Sequence, residues 1–166
     1  MPKHLRGSRR SLGFLVATAV IGAGLLGVSL LPAASQQATT IRAYERDGTG
    51  FEKFITVNGK RKVAGDYVVE AHPLFRLGTK KRIGRDVVQL TIIRGKGEQD
   101  AMFRAAGTFQ FAGGKVEVAG YSRFSSLEDG AAFTVTGGTG DYAGATGTLT
   151  VRSAKRRTYF TLRLNP

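Results

Sequence analysis

Beyond residue 36 the chain shows almost no helical periodicity. Short runs of β-branched and aromatic residues recur instead, roughly every ten residues, with glycine-rich turns between them. This pattern leaves few architectures open, because many short strands with tight turns can bury a core only as an antiparallel sandwich or barrel. Strands are predicted near residues 40–46, 52–57, 64–72, 83–94, 101–111, 115–122, 131–136, 147–153 and 156–164. The clearest alternation is in the last of these. Thr158, Phe160, Leu162 and Leu164 share one face, and Tyr159, Thr161 and Arg163 share the other. Ala112-Gly113-Gly114 and Asn58-Gly59 mark hairpin turns.

The first 35 residues follow a different logic. Lys3, Arg6, Arg9 and Arg10 come before any acid, and the run Ser11–Leu31 carries no charge. Pro32, Ala33, Ala34 and Ser35 follow. Basic, then apolar, then small is the order of an export signal, with a cut expected after Ser35. Ser8-Arg9-Arg10-Ser11-Leu12 also resembles a twin-arginine signal. The uncharged run is equally long enough to be an uncleaved anchor, so contact with a membrane through residues 11–31 is the alternative. In both cases the positive flank stays inside, and the domain over residues 36–166 is exported, secreted or tethered to the outer face of the cytoplasmic membrane. Removing the four N-terminal cations from the formal charge of +13 leaves +9 on that domain.

The inventory of side chains excludes several chemistries. There is no cysteine, hence no disulfide, thiol nucleophile or cysteine metal site. His72 is the sole histidine after residue 36, too few for an ordinary zinc site, so no metal is expected. No redox motif is present and no cofactor is expected. The basic runs Lys80-Lys81-Arg82 and Lys155-Arg156-Arg157 lack interleaved aromatics, so a specific nucleic-acid partner is not expected.

One stretch is distinctive: Phe133 to Gly147 reads Phe-Thr-Val-Thr-Gly-Gly-Thr-Gly-Asp-Tyr-Ala-Gly-Ala-Thr-Gly. Its glycine spacing fits a dinucleotide fingerprint, but no helix follows to hold a phosphate. As a whole it resembles the signature turn of the allene oxide cyclase and dirigent group. Tyr44-Glu45-Arg46-Asp47, Gly65-Asp66-Tyr67-Val68, Lys80-Lys81-Arg82-Ile83-Gly84 and Gly107-Thr108-Phe109 continue the resemblance in order along the chain. It implies an all-β fold, an eight-stranded antiparallel barrel with an apolar cavity. Such a barrel has room inside for side chains or one small ligand.

The resemblance places Arg42 and Tyr44 where allene oxide cyclases carry glutamate and asparagine. Likewise His72 replaces an asparagine, Leu90 a cysteine, and Ser122 a tyrosine, with Tyr121 beside it. The barrel is therefore expected without that activity. Arg42, Tyr44, Glu70 and His72 are the candidate catalytic residues, and Val68, Leu90, Tyr121 and Ser122 the candidate ligand-binding residues. Patterning alone favours the face of Tyr67, Val69 and Ala71 as the interior; the resemblance favours Val68, Glu70 and His72. If Glu70 is inside it needs a cation, and Arg42 is the candidate. Otherwise Arg42, Glu70 and His72 are solvated residues of an outer face.

Two functions lead, ahead of a wall, lipid or nucleic-acid binder driven by the charge of Lys80-Lys81-Arg82 and Lys155-Arg156-Arg157. One is a cofactor-free cyclase or isomerase that folds an unsaturated, apolar, polyketide- or lipid-derived substrate for ring closure, as the resemblance implies for bacterial members. The other is an exported, non-catalytic, dirigent-like barrel that binds an apolar metabolite. Either could be a homo-oligomer. Replacing Arg9 and Arg10 by lysine is expected to leave the full-length chain inside the cell, as fractionation would show. Unchanged export of the double variant would eliminate the twin-arginine route.

Overall fold

The computed structural model describes residues 38–57, 59, 63–95 and 100–165. The export or anchor segment 1–35 and Asn58 of the expected turn lie outside them. Ten strands follow in order: β1 (Thr39–Arg46), β2 (Phe51–Ile55), β3 (Tyr67–Ala71), β4 (Pro73–Arg76), β5 (Arg82–Arg94), β6 (Met102–Phe111), β7 (Gly114–Arg123), β8 (Ala131–Gly140), β9 (Thr146–Ala154) and β10 (Arg157–Asn165). One turn of helix, α1 (Ser126–Asp129), joins β7 to β8. Among the described residues no helix is long and apolar enough to cross a membrane.

The strands form one antiparallel sheet in the order β2-β3-β5-β4-β1-β10-β9-β8-β7-β6, and a further ladder between β5 and β6 closes it. The closed ring runs β5-β4-β1-β10-β9-β8-β7-β6, eight staves, as the family resemblance implied. β3 and β4 are one stave in two pieces. Both pair with β5 in a single register, Glu70 opposite Val88 and Pro73 opposite Arg85. Between them His72 stands opposite Asp86. Its N–H donates to the Asp86 side chain at 2.8 Å, while the Asp86 N–H donates to the His72 carbonyl at 3.0 Å. A carboxylate thus takes the place of a backbone carbonyl, and Pro73, which has no N–H to offer, starts the second piece. The sequence pattern merged β4 with the loop after β3, since four residues are too few to show a period.

Period-two alternation fixes which side chains enter the barrel. β10 sends in Thr158, Phe160, Leu162 and Leu164, as its pattern indicated, and opposite them β1 sends in Glu45, Ala43 and Ile41. Phe103, Phe109, Val116, Val118, Phe133 and Leu149 complete a continuous core. Phe109 meets Phe160 edge-on at 5.3 Å between ring centroids, and Phe103 lies 4.5 Å from Phe124.

The glycine turn between β8 and β9 is tight for two distinct reasons. Gly140 has φ +63, a conformation L side chains rarely adopt, and a Cβ there would collide with the Gly113 carbonyl. Gly138 has no positive φ, but a Cβ would run into the Tyr142 carbonyl. Gly144 has φ +75 with open space around it. Gly138→Val and Gly140→Val should therefore each cost more than the roughly 1 kcal/mol of an average substitution. Gly144→Asn should cost less than Gly140→Asn, because asparagine tolerates the left-handed region where nothing obstructs it. Thermal melts of the four variants check this; equal losses at positions 140 and 144 would mean that backbone conformation alone matters.

Candidate functional site

The barrel encloses a cavity of about 280 Å³ with two unlike ends. Most of its wall is apolar: Leu90 on β5, Phe103, Ala105 and Phe109 on β6, Val118 on β7, Phe133 on β8, Leu149 and Val151 on β9, Phe160 on β10. Phe124 and Leu127, around α1, close the wall on one side. The other end is acidic. Glu45 from β1, Glu70 from β3, Asp86 from β5 and His72 from the β3–β4 junction converge there, with Asp47, Glu52 and Arg46 at the margin. Thr158 and Ser153 complete it.

The acids meet because the register allows nothing else. Glu45 stands opposite Thr158 across the β1–β10 ladder, on the inward set of both strands. Asp86 and Val88 are alternate inward residues of β5, and Glu70 pairs with Val88. The Glu45 residue is 9% exposed and Asp86 only 2%. His72 Nδ1 approaches Glu45 Oε2 to 3.2 Å, and neither atom has a hydrogen-bond partner. One ligand atom each from Glu45, His72 and Asp86 fall within 4.8 Å of one another, so these three are the residues that could hold a metal ion. A count of histidines and cysteines could not foresee such a set, because two of the three are carboxylates.

Burial governs the protonation of this group. It pushes the Glu45 carboxyl up to about 9, helped by the charge of Asp86 and opposed by a hydrogen bond with Thr158. Burial also pushes Glu70 up to about 7, aided by Glu52 and Asp86. Asp86 is raised by burial too, but its bonds with the His72 N–H and with Glu45 pull it back. The Glu45–Asp86 contact raises one partner and lowers the other, which fits a neutral Glu45 donating its proton toward an ionised Asp86.

The cavity receives Glu70, His72 and Leu90 from the expected set. Val68 is buried on the same inward face of β3, opposite Leu90, but is not part of the lining. The interior face of β3 is thus that of Val68 and Glu70, and Val69 lies in an outer groove. Four positions lie elsewhere. Arg42 is exposed, and Tyr44, though buried, faces outward. Tyr44 packs between Phe75 and Tyr159 and donates its hydroxyl to the Thr79 carbonyl at 2.8 Å. The assignment on β1 was displaced by one residue, and in a strand one residue exchanges the faces. Arg42 therefore does not accompany Glu70, whose charged neighbours are the acids Glu52 and Asp86. Tyr121 is 71% exposed, paired with the exposed Arg104. Ser122, opposite Phe103, is half-buried but does not reach the cavity lining. Glu45 and Asp86 were missed as site residues. The alternation of β10 marks Thr158 as inward, but only the register with β1 places Glu45 across from it.

The allene oxide cyclase barrel-like domain matches residues 38–164. The chain belongs to that family. Solved structures with the same fold include a pyocyanin demethylase, at 21% identity and a TM-score of 0.64, covering 76% of this chain and 99% of that one. A pterocarpan synthase dirigent protein aligns at 18% identity and 0.62, over 77% and 84% of the two chains. A Diels–Alderase from Streptomyces koyangensis aligns at 13% identity and 0.59, over 81% and 72%. Comparison with curated proteins finds no match. These likenesses, together with the family match, show the barrel fold.

The raised carboxyls set a pH dependence. Glu70 holds its proton in the native state up to about pH 7 but gives it up near its ordinary value of 4.5 when unfolded. Between those values the native state binds more protons, so stability is greatest at the acid end and falls as pH rises. Glu45 extends the decline toward pH 9. Glu70→Gln should match the parent near pH 4.5 and exceed it at pH 8 by about 1–3 kcal/mol in chemical denaturation. A parent protein that gains stability from pH 5 to pH 8 would contradict the burial of these groups.

Proposed function

We propose that this barrel is a cofactor-free cyclase or isomerase, which folds an unsaturated, largely apolar molecule against its aromatic wall and moves a proton at its acidic end. The observation that carries the reading is the pairing of an apolar enclosure with a buried carboxyl that keeps its proton. A cavity meant only for binding gains nothing from burying Glu45 among other acids, because desolvating a carboxyl costs stability that apolar residues of the same size would not. A neutral Glu45 can protonate, or donate a hydrogen bond to, a carbonyl or ring atom where charge develops. Asp86, hydrogen-bonded to it, is placed to stabilise the proton's return, and His72 offers a second site for it at 3.2 Å from the Glu45 carboxyl.

The wall does the rest. Phe103, Phe109, Phe133 and Phe160 leave a flexible substrate few conformers, so the entropy of bringing reacting ends together is lost on binding rather than at the barrier. Exclusion of water by the closed sheet strengthens the hydrogen bond at the acidic end. A second reading, a dirigent-like barrel that only orients its ligand, shares the enclosure but assigns no task to the acids. Export to the outer face of the membrane is part of the proposal in either form.

The two readings separate in one experiment. Isomerisation and ring closure conserve mass, so a substrate incubated with the full-length protein should return at unchanged mass with altered chromatographic retention. Apolar metabolite extracts of the producing cell supply the candidates. Glu45→Gln, which keeps the shape and removes the acidic proton, should lower conversion by about a hundredfold or more while the starting compound still binds. Retention of bound compounds without any conversion by the parent protein would assign the barrel to binding.

A further inference from the structure

The charge inside the cavity is opposite to the charge outside. The domain carries a formal +9. Yet five of the chain's twelve acids, Glu45, Asp47, Glu52, Glu70 and Asp86, line this one cavity. Among the described residues the only basic side chains in the lining are Arg46 and His72. Arg46 is committed to the outer face: its guanidinium lies 5.7 Å from the Tyr44 ring centroid and 5.1 Å from that of Phe75, and it donates to the Tyr44 hydroxyl at 3.2 Å. No fixed cation therefore stands inside to receive an anionic ligand. Meanwhile Glu45 Oε2, on a residue 9% exposed, has no hydrogen-bond partner and has His72 Nδ1 beside it at 3.2 Å.

We propose that the acidic end selects a ligand with a basic or cationic nitrogen on a flat apolar ring system, and rejects carboxylates. This rests on the reading of the cavity as a small-molecule site and names the class of molecule it takes. A nitrogen-borne hydrogen would satisfy the unpaired Glu45 oxygen, which a carbonyl or carboxylate cannot do unless the acid itself donates. The positive charge would neutralise the acids that crowd one another when the cavity is empty. Phe103, Phe109, Phe133 and Phe160 provide ring faces for the flat remainder, and aromatic faces also attract cations. A carboxylate would meet a cluster of acids with no fixed cation to receive it.

Three fused-ring fluorophores of one size test this with the full-length protein: aminoacridine as the cation, anthracenemethanol as the neutral probe and anthracene carboxylate as the anion. Fluorescence titration at pH 8 should rank aminoacridine first by about tenfold or more. The positive outer surface works against that order, so the preference must come from the cavity. Glu52→Gln, at an exposed position, should reduce the preference without threatening the fold. If anthracene carboxylate binds as well as aminoacridine, the charge selection is wrong and the apolar cavity stands. If none of the three binds, the small-molecule reading falls with it.

Discussion

The ladder between β5 and β6 converts a ten-stranded sheet into a closed barrel, and the chemistry of the interior depends on that closure. In an open sheet Asp86 and Glu70 would turn toward water on one face and titrate as ordinary carboxyls. Closure gives them a wall of phenylalanine and leucine instead, and it leaves each acid with only its neighbours for company. The raised carboxyl of Glu45 and its contact with Asp86 both follow from one backbone pairing. The cost is borne by the rest of the core, where Phe103, Phe109, Leu149 and Leu162 are almost entirely withdrawn from solvent.

Not every buried acid belongs to the site. Asp66 is fully buried, but its carboxylate oxygens accept the N–H groups of Val57 and Val63, so it ties the β2–β3 connection together. Asp86 does something intermediate. One oxygen replaces a backbone carbonyl in the ladder opposite His72, and that structural bond orients the carboxyl toward Glu45. His72 follows Val68 and Glu70 in the period-two alternation, and the register with β5 continues across the interruption, so it stays on the inward face with the acids.

The outer face of β1 shows the contrary use of similar residues. Tyr44, Arg46 and Arg157 form a layered stack, with Arg157 5.1 Å from the Tyr44 ring centroid, and this stack keeps two guanidinium groups outside. Had Arg46 turned inward it would have neutralised Glu45 and lowered its carboxyl toward the ordinary range. The separation of cations outside from acids inside is therefore maintained by aromatic packing as much as by strand direction.

From sequence alone the fold was legible to the level of family. The ten-residue rhythm, the alternation of β10 and the glycine turn from Phe133 to Gly147 are local properties, and each depends on covalent geometry and the two-residue period of a strand. His72, Glu70 and Leu90 were also within reach, because their strands were bounded by clear turns. The remainder depended on registration between strands distant in sequence. Whether Arg42 and Tyr44 or Ala43 and Glu45 face inward differs by one residue on β1, and only its pairing with β10 across more than a hundred residues decides it. The partnership of Glu45, Asp86 and His72 joins three separate staves. No local pattern encodes such a meeting, since each side chain alone is an ordinary polar residue; closure of the barrel brings them together and, by excluding water, gives them their chemistry.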